Sequence, residues 1–323
     1  MDSPIVVVGS INLDLVCAGK RIPGPGETLK GDKFQIFHGG KGANQAVGVA
    51  RLGYPVNMIG KVGDDDFGER LRRGLREVHV GIRHVSTAKA VCSGVALITV
   101  DGTGQNSITV IPGANDRLLP RDLEKSLPLL RSAGMILTQL EIPMETVEYL
   151  CATARRFGIP VILDPAPARP IPRKVLRNVT YLTPNETETC GLCGLASGDL
   201  TPANVASVAE LLLSSGPSGV IVKMGSRGAY IAGADGLRRM VPTFKVKAID
   251  STAAGDAFNA GLAVGLVRGK SLVDAARYGA AVGALCATRA GAQTSMPSGR
   301  EVARLFQSAE GRVRRVHETR SRS

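Results

Sequence analysis

The sequence predicts an α/β protein built on a central, mostly parallel sheet with helices on both faces. Three observations carry this. Short apolar runs bounded by Gly, Pro, Asn or Asp recur along the chain, which is how strands buried on both faces read. Helix-length segments separate these runs, and such alternation argues for parallel strands joined by crossovers. With 323 residues, 44% of them hydrophobic, the chain is long enough for one large α/β domain or two smaller ones with ample core.

In chain order, strands are expected at residues 5–8, 56–59, 135–137, 161–163, 179–182 and 220–222. Helices are expected at 42–52, 67–78, 143–157 and 201–214. Two stretches break the rhythm. Residues 11–38 are rich in Gly and Pro, and 91–111 reads as two strands (94–100 and 107–111) joined by Asp101-Gly102-Thr103-Gly104, a hairpin turn signal. Both stretches fit a small β element projecting from the main sheet, and a lid over a site and a plain surface hairpin fit the pattern equally.

Net charge is +12, and residues 300–323 hold seven Arg against three Glu. A basic chain can signal nucleic acid, but aromatic content is 4% with no Trp, and no basic run is interleaved with stacking residues. A general attraction for anionic substrates, with a solvated basic tail, is the better account. The six cysteines are scattered without a framework, which suits a reducing compartment such as the cytoplasm. Cys190-Gly191-Leu192-Cys193 is a lone CxxC, better read as incidental helix residues than as a metal or redox site. The amino terminus lacks a leader pattern, and no apolar run reaches membrane-spanning length, so no membrane partner is expected. Ser321-Arg322-Ser323 faintly echoes a peroxisomal address but ends in Ser where Leu is expected. A nuclear location stays open for a eukaryotic source.

The segment Ala253-Ala254-Gly255-Asp256-Ala257-Phe258 is the most informative. Small residues let backbone approach a ligand, and the apolar helical run that follows starts with unpaired N–H groups suited to phosphate. A carboxylate there is a poor choice for simple anion binding. It makes sense if Asp256 takes a proton from a hydroxyl that then attacks the phosphate; the plainer reading is an acid favoured by the helix dipole. Gly39-Gly40-Lys41-Gly42-Ala43-Asn44 precedes another helix. It lacks P-loop spacing, yet Lys41 and Asn44 could donate hydrogen bonds to hydroxyls. Asn12 and Asp14 follow the first strand at its carboxyl end, where open α/β sheets bind ligands, or simply form a turn. Glu141 follows the strand at 135–137 on the same edge. Asn185 and Glu188, in Thr183-Pro184-Asn185-Glu186-Thr187-Glu188, could hold a hydrated Mg²⁺, and Asn185 could equally cap a helix. Gly225-Ser226-Arg227-Gly228 could accommodate a nucleotide or form a hairpin. Together these groups read as phosphoryl transfer to a polyol.

These residues resemble the ribokinase-like (PfkB) carbohydrate kinase family over about residues 4–310. Gly9 to Asp14, Gly39 to Ala46, Asp164 to Arg169, Thr183 to Glu188, Gly225 to Gly228 and Asp250 to Asn259 match its motifs in the expected order. The resemblance implies a three-layer sandwich with a small β lid: one domain over 1–310, lid segments at about 11–38 and 91–111, and a disordered basic tail at 311–323. It implies ATP-dependent phosphorylation of D-ribose at O5. Asp256 would be the base, and the N–H groups of Ala253, Ala254, Gly255 and Asp256 an anion hole. Asn12, Asp14, Gly40, Lys41, Gly42, Ala43, Asn44 and Glu141 would hold the sugar. Asn185, Lys223, Met224, Gly225, Ser226, Arg227, Gly228 and Ala280 would lie near the nucleotide, together with Gly255 and Asp256. Asn185 and Glu188 would organise Mg²⁺ through water. A monovalent cation, K⁺, would sit by Asp250, Thr252, Cys286, Arg289, Gly291 and Ser295, with Asp250 and Ser295 offering side-chain oxygens and the others main-chain oxygen. Lys223 stands where Thr is common, and Ala280 where a larger polar residue often flanks adenine. A homodimer through the lid is implied as well. Deoxyribose, pseudouridine or adenosine as acceptor, or a non-catalytic sugar sensor on the same fold, are the competing readings.

Overall fold

The computed structural model describes residues 3–308; the expected basic tail at 311–323 and its terminal tripeptide lie outside them. Thirteen strands are named in chain order: β1 (Ile5–Val8), β2 (Asn12–Ala18), β3 (Lys33–Gly39), β4 (Val56–Gly63), β5 (Gly81–Ala88), β6 (Gly94–Val100), β7 (Asn106–Ile111), β8 (Met135–Thr138), β9 (Val161–Leu163), β10 (Tyr181–Leu182), β11 (Gly219–Lys223), β12 (Ala229–Gly233) and β13 (Arg238–Val241). Ten helices are named as well: α1 (Lys41–Arg51), α2 (Asp66–Glu77), α3 (Pro120–Glu124), α4 (Leu127–Ser132), α5 (Met144–Phe157), α6 (Arg173–Leu176), α7 (Glu186–Cys193), α8 (Val205–Ser214), α9 (Ala254–Val267) and α10 (Leu272–Cys286). None of the described helices is long and apolar enough to cross a membrane.

Nine strands form the main sheet in the order β13-β12-β11-β10-β9-β8-β1-β4-β5, parallel except for β12 and β13. The alternating faces of β1 show why it is central. Ile5 and Val7 join one core with α1, α2, α9 and α10, while Val6 and Val8 join a second core with α3 to α8. All four are fully buried, each contributing about 1.5–3 kcal/mol of hydrophobic stabilisation. The expected three layers are therefore present.

The chain winds one way through β4 and β5, then returns to the other side of β1 through β8. That reversal opens a crevice at the carboxyl ends of β1 and β8, where ligands bind in such sheets.

The second sheet, ordered β3-β2-β6-β7, gathers the two irregular stretches. Asp101 Oδ1 organises the β6–β7 turn by accepting from Thr103 N (2.8 Å), Thr103 Oγ1 (2.7 Å) and Gln105 N (3.0 Å).

Some expected bounds move. The helix expected at 201–214 begins at Val205, because Thr201 to Asn204 form a turn in which Thr201 N donates to Asn204 Oδ1 at 2.7 Å. The strand expected at 179–182 contracts to β10, since Val179 N still donates to Leu176 O at the end of α6 (3.2 Å). The edge strand β5 carries Arg83 and His84 and lacks an apolar run. Cys190 and Cys193 are residues of α7, with Cys190 buried in the core.

The packing of α9 on α10 positions the site. A Cβ on Gly261 would fall 2.8 Å from Gly279 Cα, and one on Gly265 2.8 Å from Ala275 Cα, so only glycine admits this close approach.

Candidate active site

The carboxyl ends of the strands deliver the polar groups. Asn12 follows β1, Gln139 and Glu141 follow β8, Asp164 follows β9, Asn185 follows β10, and residues 224–228 follow β11. Asp164, Asn185, Gly225, Ser226 and Gly228 line a cleft of about 890 Å³.

The first turn of α9 closes one end. Ala253 precedes it with φ 57°, a left-handed conformation that costs a non-glycine residue about 1–2 kcal/mol. No side chain caps this helix. Ala254 N already donates to Ser251 O (3.1 Å), so this member of the expected anion hole is committed within the turn. The N–H groups of Ala253, Gly255 and Asp256 have no partner among the described residues, and these three are open to an anion.

Asp256 is held by two side-chain amides of α1. Asn44 Nδ2 donates to its Oδ2 and Gln45 Nε2 to its Oδ1, both at 3.0 Å. Burial pushes its carboxyl up; Lys41 opposes this, Asp164 adds to it, and the two amides oppose it, leaving the pKa raised to about 6. For Lys41, burial disfavours the charge, but the carboxylates of Asp256, Asp164, Glu141 and Glu188 prevail and raise its pKa.

Asp256 and Lys41 line the cleft; Asn12, Asp14, Asn44 and Glu141 lie on the side toward the small sheet. Asn12 Oδ1 accepts from Asn115 Nδ2 (2.7 Å), and Ile11 N donates to Asn115 Oδ1 (2.9 Å). Asn115 thus leaves Asn12 its own amide N–H₂ to offer. Asp14 faces Gly39, where a Cβ would fall 2.2 Å from its Oδ2. Burial, then the charge of Glu141, raise its pKa to about 6. Glu141 Oε2 accepts from Lys41 N at 3.0 Å and from Ser10 Oγ, which fixes the start of α1 beside β1. Gly40 (φ 84°) and Gly42 permit this approach; Cβ atoms there would fall 2.6 Å from Asn12 N and 2.7 Å from Gly9 C. Ala43 is fully buried in the core, so only its backbone could serve a ligand.

On the side expected to take the nucleotide, Asn185 caps α7 in a reciprocal box: Glu188 N donates to Asn185 Oδ1 (2.8 Å), and Asn185 N donates to Glu188 Oε2 (2.7 Å). The cap and the cleft position coexist, since both residues line the cleft. Asn185 Nδ2 also donates to Glu188 Oε1 (2.9 Å), so each carboxylate oxygen keeps a lone pair for water. Burial and then Asp164 raise the Glu188 pKa. Lys223 Nζ lies 3.4 Å from where a Cβ of Gly255 would stand and pairs with Asp164 Oδ1 at 2.9 Å. Gly225, Ser226, Gly228 and Ala280 line the cleft. Met224 and Arg227 do not: Met224 is buried in the core, and Arg227 pairs with Glu186.

The six expected cation positions also converge beside the first turn of α9. Asp250 accepts from Thr252 N (Oδ1) and Gly291 N (Oδ2), both at 2.9 Å. Cys286 Sγ contacts Ser295 Oγ at 3.0 Å. Arg289 is drawn aside by Glu301. Among the described residues, no group of three or more His, Cys, Asp or Glu could hold a metal directly.

Four buried groups go beyond the expected set. Gln45 neighbours Asn44 in the glycine-rich motif, and Asp164 opens the Asp164–Arg169 motif, so both carried a local signal. Gln139 and Asn115 carried none.

Comparison with known proteins agrees with this geometry. The description "pfkB family carbohydrate kinase" matches residues 2–299. A ribokinase from Schizosaccharomyces pombe is 40% identical over 305 residues, covering 92% of this chain and 96% of the relative. A deoxyribokinase from Salmonella typhi is 36% identical over 295 residues, covering 91% and 95%. The structure of Arabidopsis thaliana ribokinase complexed with ribose and ATP superposes with a TM-score of 0.89 at 34% identity, covering 94% of this chain and 99% of that one.

Proposed function

Because this chain belongs to the pfkB family of carbohydrate kinases, we propose that it transfers the γ-phosphoryl group of ATP to O5 of D-ribose, giving D-ribose 5-phosphate and ADP. The observation that carries this reading is the 3.0 Å hydrogen bond from Asn44 to Asp256. It joins the group expected to grip the sugar to the carboxylate at the helix start suited to the phosphate.

Asp256 removes the proton from the 5-hydroxyl as that oxygen attacks the γ-phosphorus, and the bond to the β–γ bridging oxygen breaks. The proton ends on the Asp256 carboxyl, and ADP leaves with the electron pair. With a pKa of about 6, Asp256 is mostly ionised at neutral pH and holds a proton better than an ordinary aspartate. The N–H groups of Ala253, Gly255 and Asp256 face the charge developing on the phosphoryl oxygens, and Lys41 lines the same cleft. Asp14 and Asn12 offer an acceptor and a donor to the sugar hydroxyls, and Glu141 holds Lys41 in place.

The residues fit both expected cations. Asn185 and Glu188 would hold Mg²⁺ through its waters, using the free lone pairs of Glu188, and that ion would neutralise charge on the phosphates. Asp250, Ser295 and the carbonyls of their loops would hold K⁺, which would stabilise the turn before α9. The small sheet is proposed as the lid: by register, Asp14 shares a face with Ala96 and Val110. Its exposed Phe34 and Leu97 support a homodimer formed through it.

A second reading, 2-deoxyribose as acceptor, draws on the deoxyribokinase relative. An ADP-release assay with D-ribose, 2-deoxyribose, pseudouridine and adenosine, with and without K⁺, tests the proposal. D-ribose should turn over fastest, with K⁺ raising the rate. Inert ribose beside a phosphorylated nucleoside or deoxyribose overturns it.

A further inference from the structure

The base is held by more than the sugar grip. Gln45 is fully buried, and its amide nitrogen lies 3.0 Å from Asp256 Oδ1 and 3.0 Å from Asp164 Oδ2. Its two N–H bonds are therefore shared between two carboxylates. Gln139, also fully buried, donates to Gln45 Oε1 at 2.7 Å and fixes which way round the amide sits. Asp164 Oδ1 in turn accepts from Lys223 Nζ at 2.9 Å. A continuous chain thus runs from Lys223, beside the proposed phosphate turn, through Asp164 and Gln45 to the base. The neighbouring Asn44 grips the other oxygen of Asp256. Each oxygen of the base is held by one amide, which fixes the plane of the carboxylate relative to an incoming hydroxyl.

We propose that Gln45 is a positioning residue for the phosphoryl transfer: it orients the Asp256 carboxylate and ties it through Asp164 to Lys223. Proton transfer depends on the direction in which the base presents its free lone pair, so a carboxylate free to rotate loses rate without losing substrate. An amide donor also favours the ionised base, and its loss favours the protonated form. The charged and titratable groups facing Asp256 are Lys41 from α1, Asp164 after β9, with Lys223 behind it, and Cys286 from α10. None of them replaces the Gln45 bond.

The inference rests on the kinase reading but not on ribose, so it is tested with whichever acceptor the wild-type enzyme phosphorylates. Gln45→Leu removes both donations and keeps similar bulk. Gln45→Glu places a third carboxyl between Asp164 and Asp256. For both, kcat is expected to fall about tenfold to a hundredfold, while the acceptor dissociation constant, measured by calorimetry, changes less than about threefold. The acid limb of kcat/KM should move up by about half a pH unit to one unit in Gln45→Leu and further in Gln45→Glu. A role confined to packing would lower activity without moving that limb. An unmoved acid limb in both variants, or loss of acceptor binding in step with kcat or altogether, overturns the proposal.

Discussion

Asp256→Asn removes the proposed base and a buried negative charge in one step, so activity and stability should part company. For activity, loss of a general base costs about 10²–10⁴ in rate, and kcat should fall by that factor while ribose affinity stays within a few-fold. For stability, the carboxyl moves from its ordinary value of 3.8 to about 6 in the folded protein, chiefly through burial. Between those two pH values the folded state holds a proton that the unfolded chain has released, so the wild type loses stability as pH rises through the window. At about 1.36 kcal/mol per pKa unit, the loss is about 3 kcal/mol between pH 3.8 and 6. Asparagine does not titrate. Its amide meets the donors of Asn44 and Gln45 much as the protonated carboxyl does, with one oxygen accepting and the other group a donor. The variant should therefore be close to wild type in stability near pH 4 and more stable by about 3 kcal/mol at pH 7. Urea unfolding at several pH values between 4 and 7.5, read beside turnover at saturating ATP and sugar, measures both. Parallel stability profiles would refute the buried-charge argument, and retained turnover would refute the role of Asp256 as base.

Lys223→Met should cost about 3–5 kcal/mol of unfolding free energy by leaving the buried Asp164 charge without its ion-pair partner; a loss below about 1 kcal/mol in urea would show that the pair does not matter to the fold. Gly42→Ala would drive a Cβ into the Gly9 backbone, so stability should fall by about 1–3 kcal/mol and the sugar KM should rise as α1 is displaced. An unchanged KM would mean that α1 does not set the sugar grip. Replacing Phe34 and Leu97 by Asp should shift sedimentation from dimer to monomer; a wild type that is monomeric at all concentrations removes the dimer proposal.

Much of the sheet was legible because its strands are buried on both faces. β1, β8, β9 and β11 read as apolar runs for that reason. β5 did not, since an edge strand half open to solvent tolerates Arg83 and His84. Asp256 was legible because small residues before a carboxylate at a helix start are locally unusual. Asn44 was legible through its glycines. Gln45 carried only its place in that motif, and Gln139 carried nothing, because a buried glutamine reads the same as an exposed one until its partner is known.

The sequence by itself determined the α/β layering, the hairpin of the small sheet, and the two glycine-bearing helix starts at α1 and α9. These depend on periodicity and turn chemistry within a dozen residues. Only the tertiary structure decided what Asp256 touches. Asn44 is 212 positions away from it in the chain, Gln45 is 211 away, and Asp164 lies 119 from Gln45. Those contacts arise because the main sheet reverses direction at β1 and packs α1 and α9 side by side on one face, with their first turns at the carboxyl ends of its strands. Hydrogen bonds need partners within about 3 Å, and only the packing of whole layers sets distances on that scale between residues so far apart in sequence.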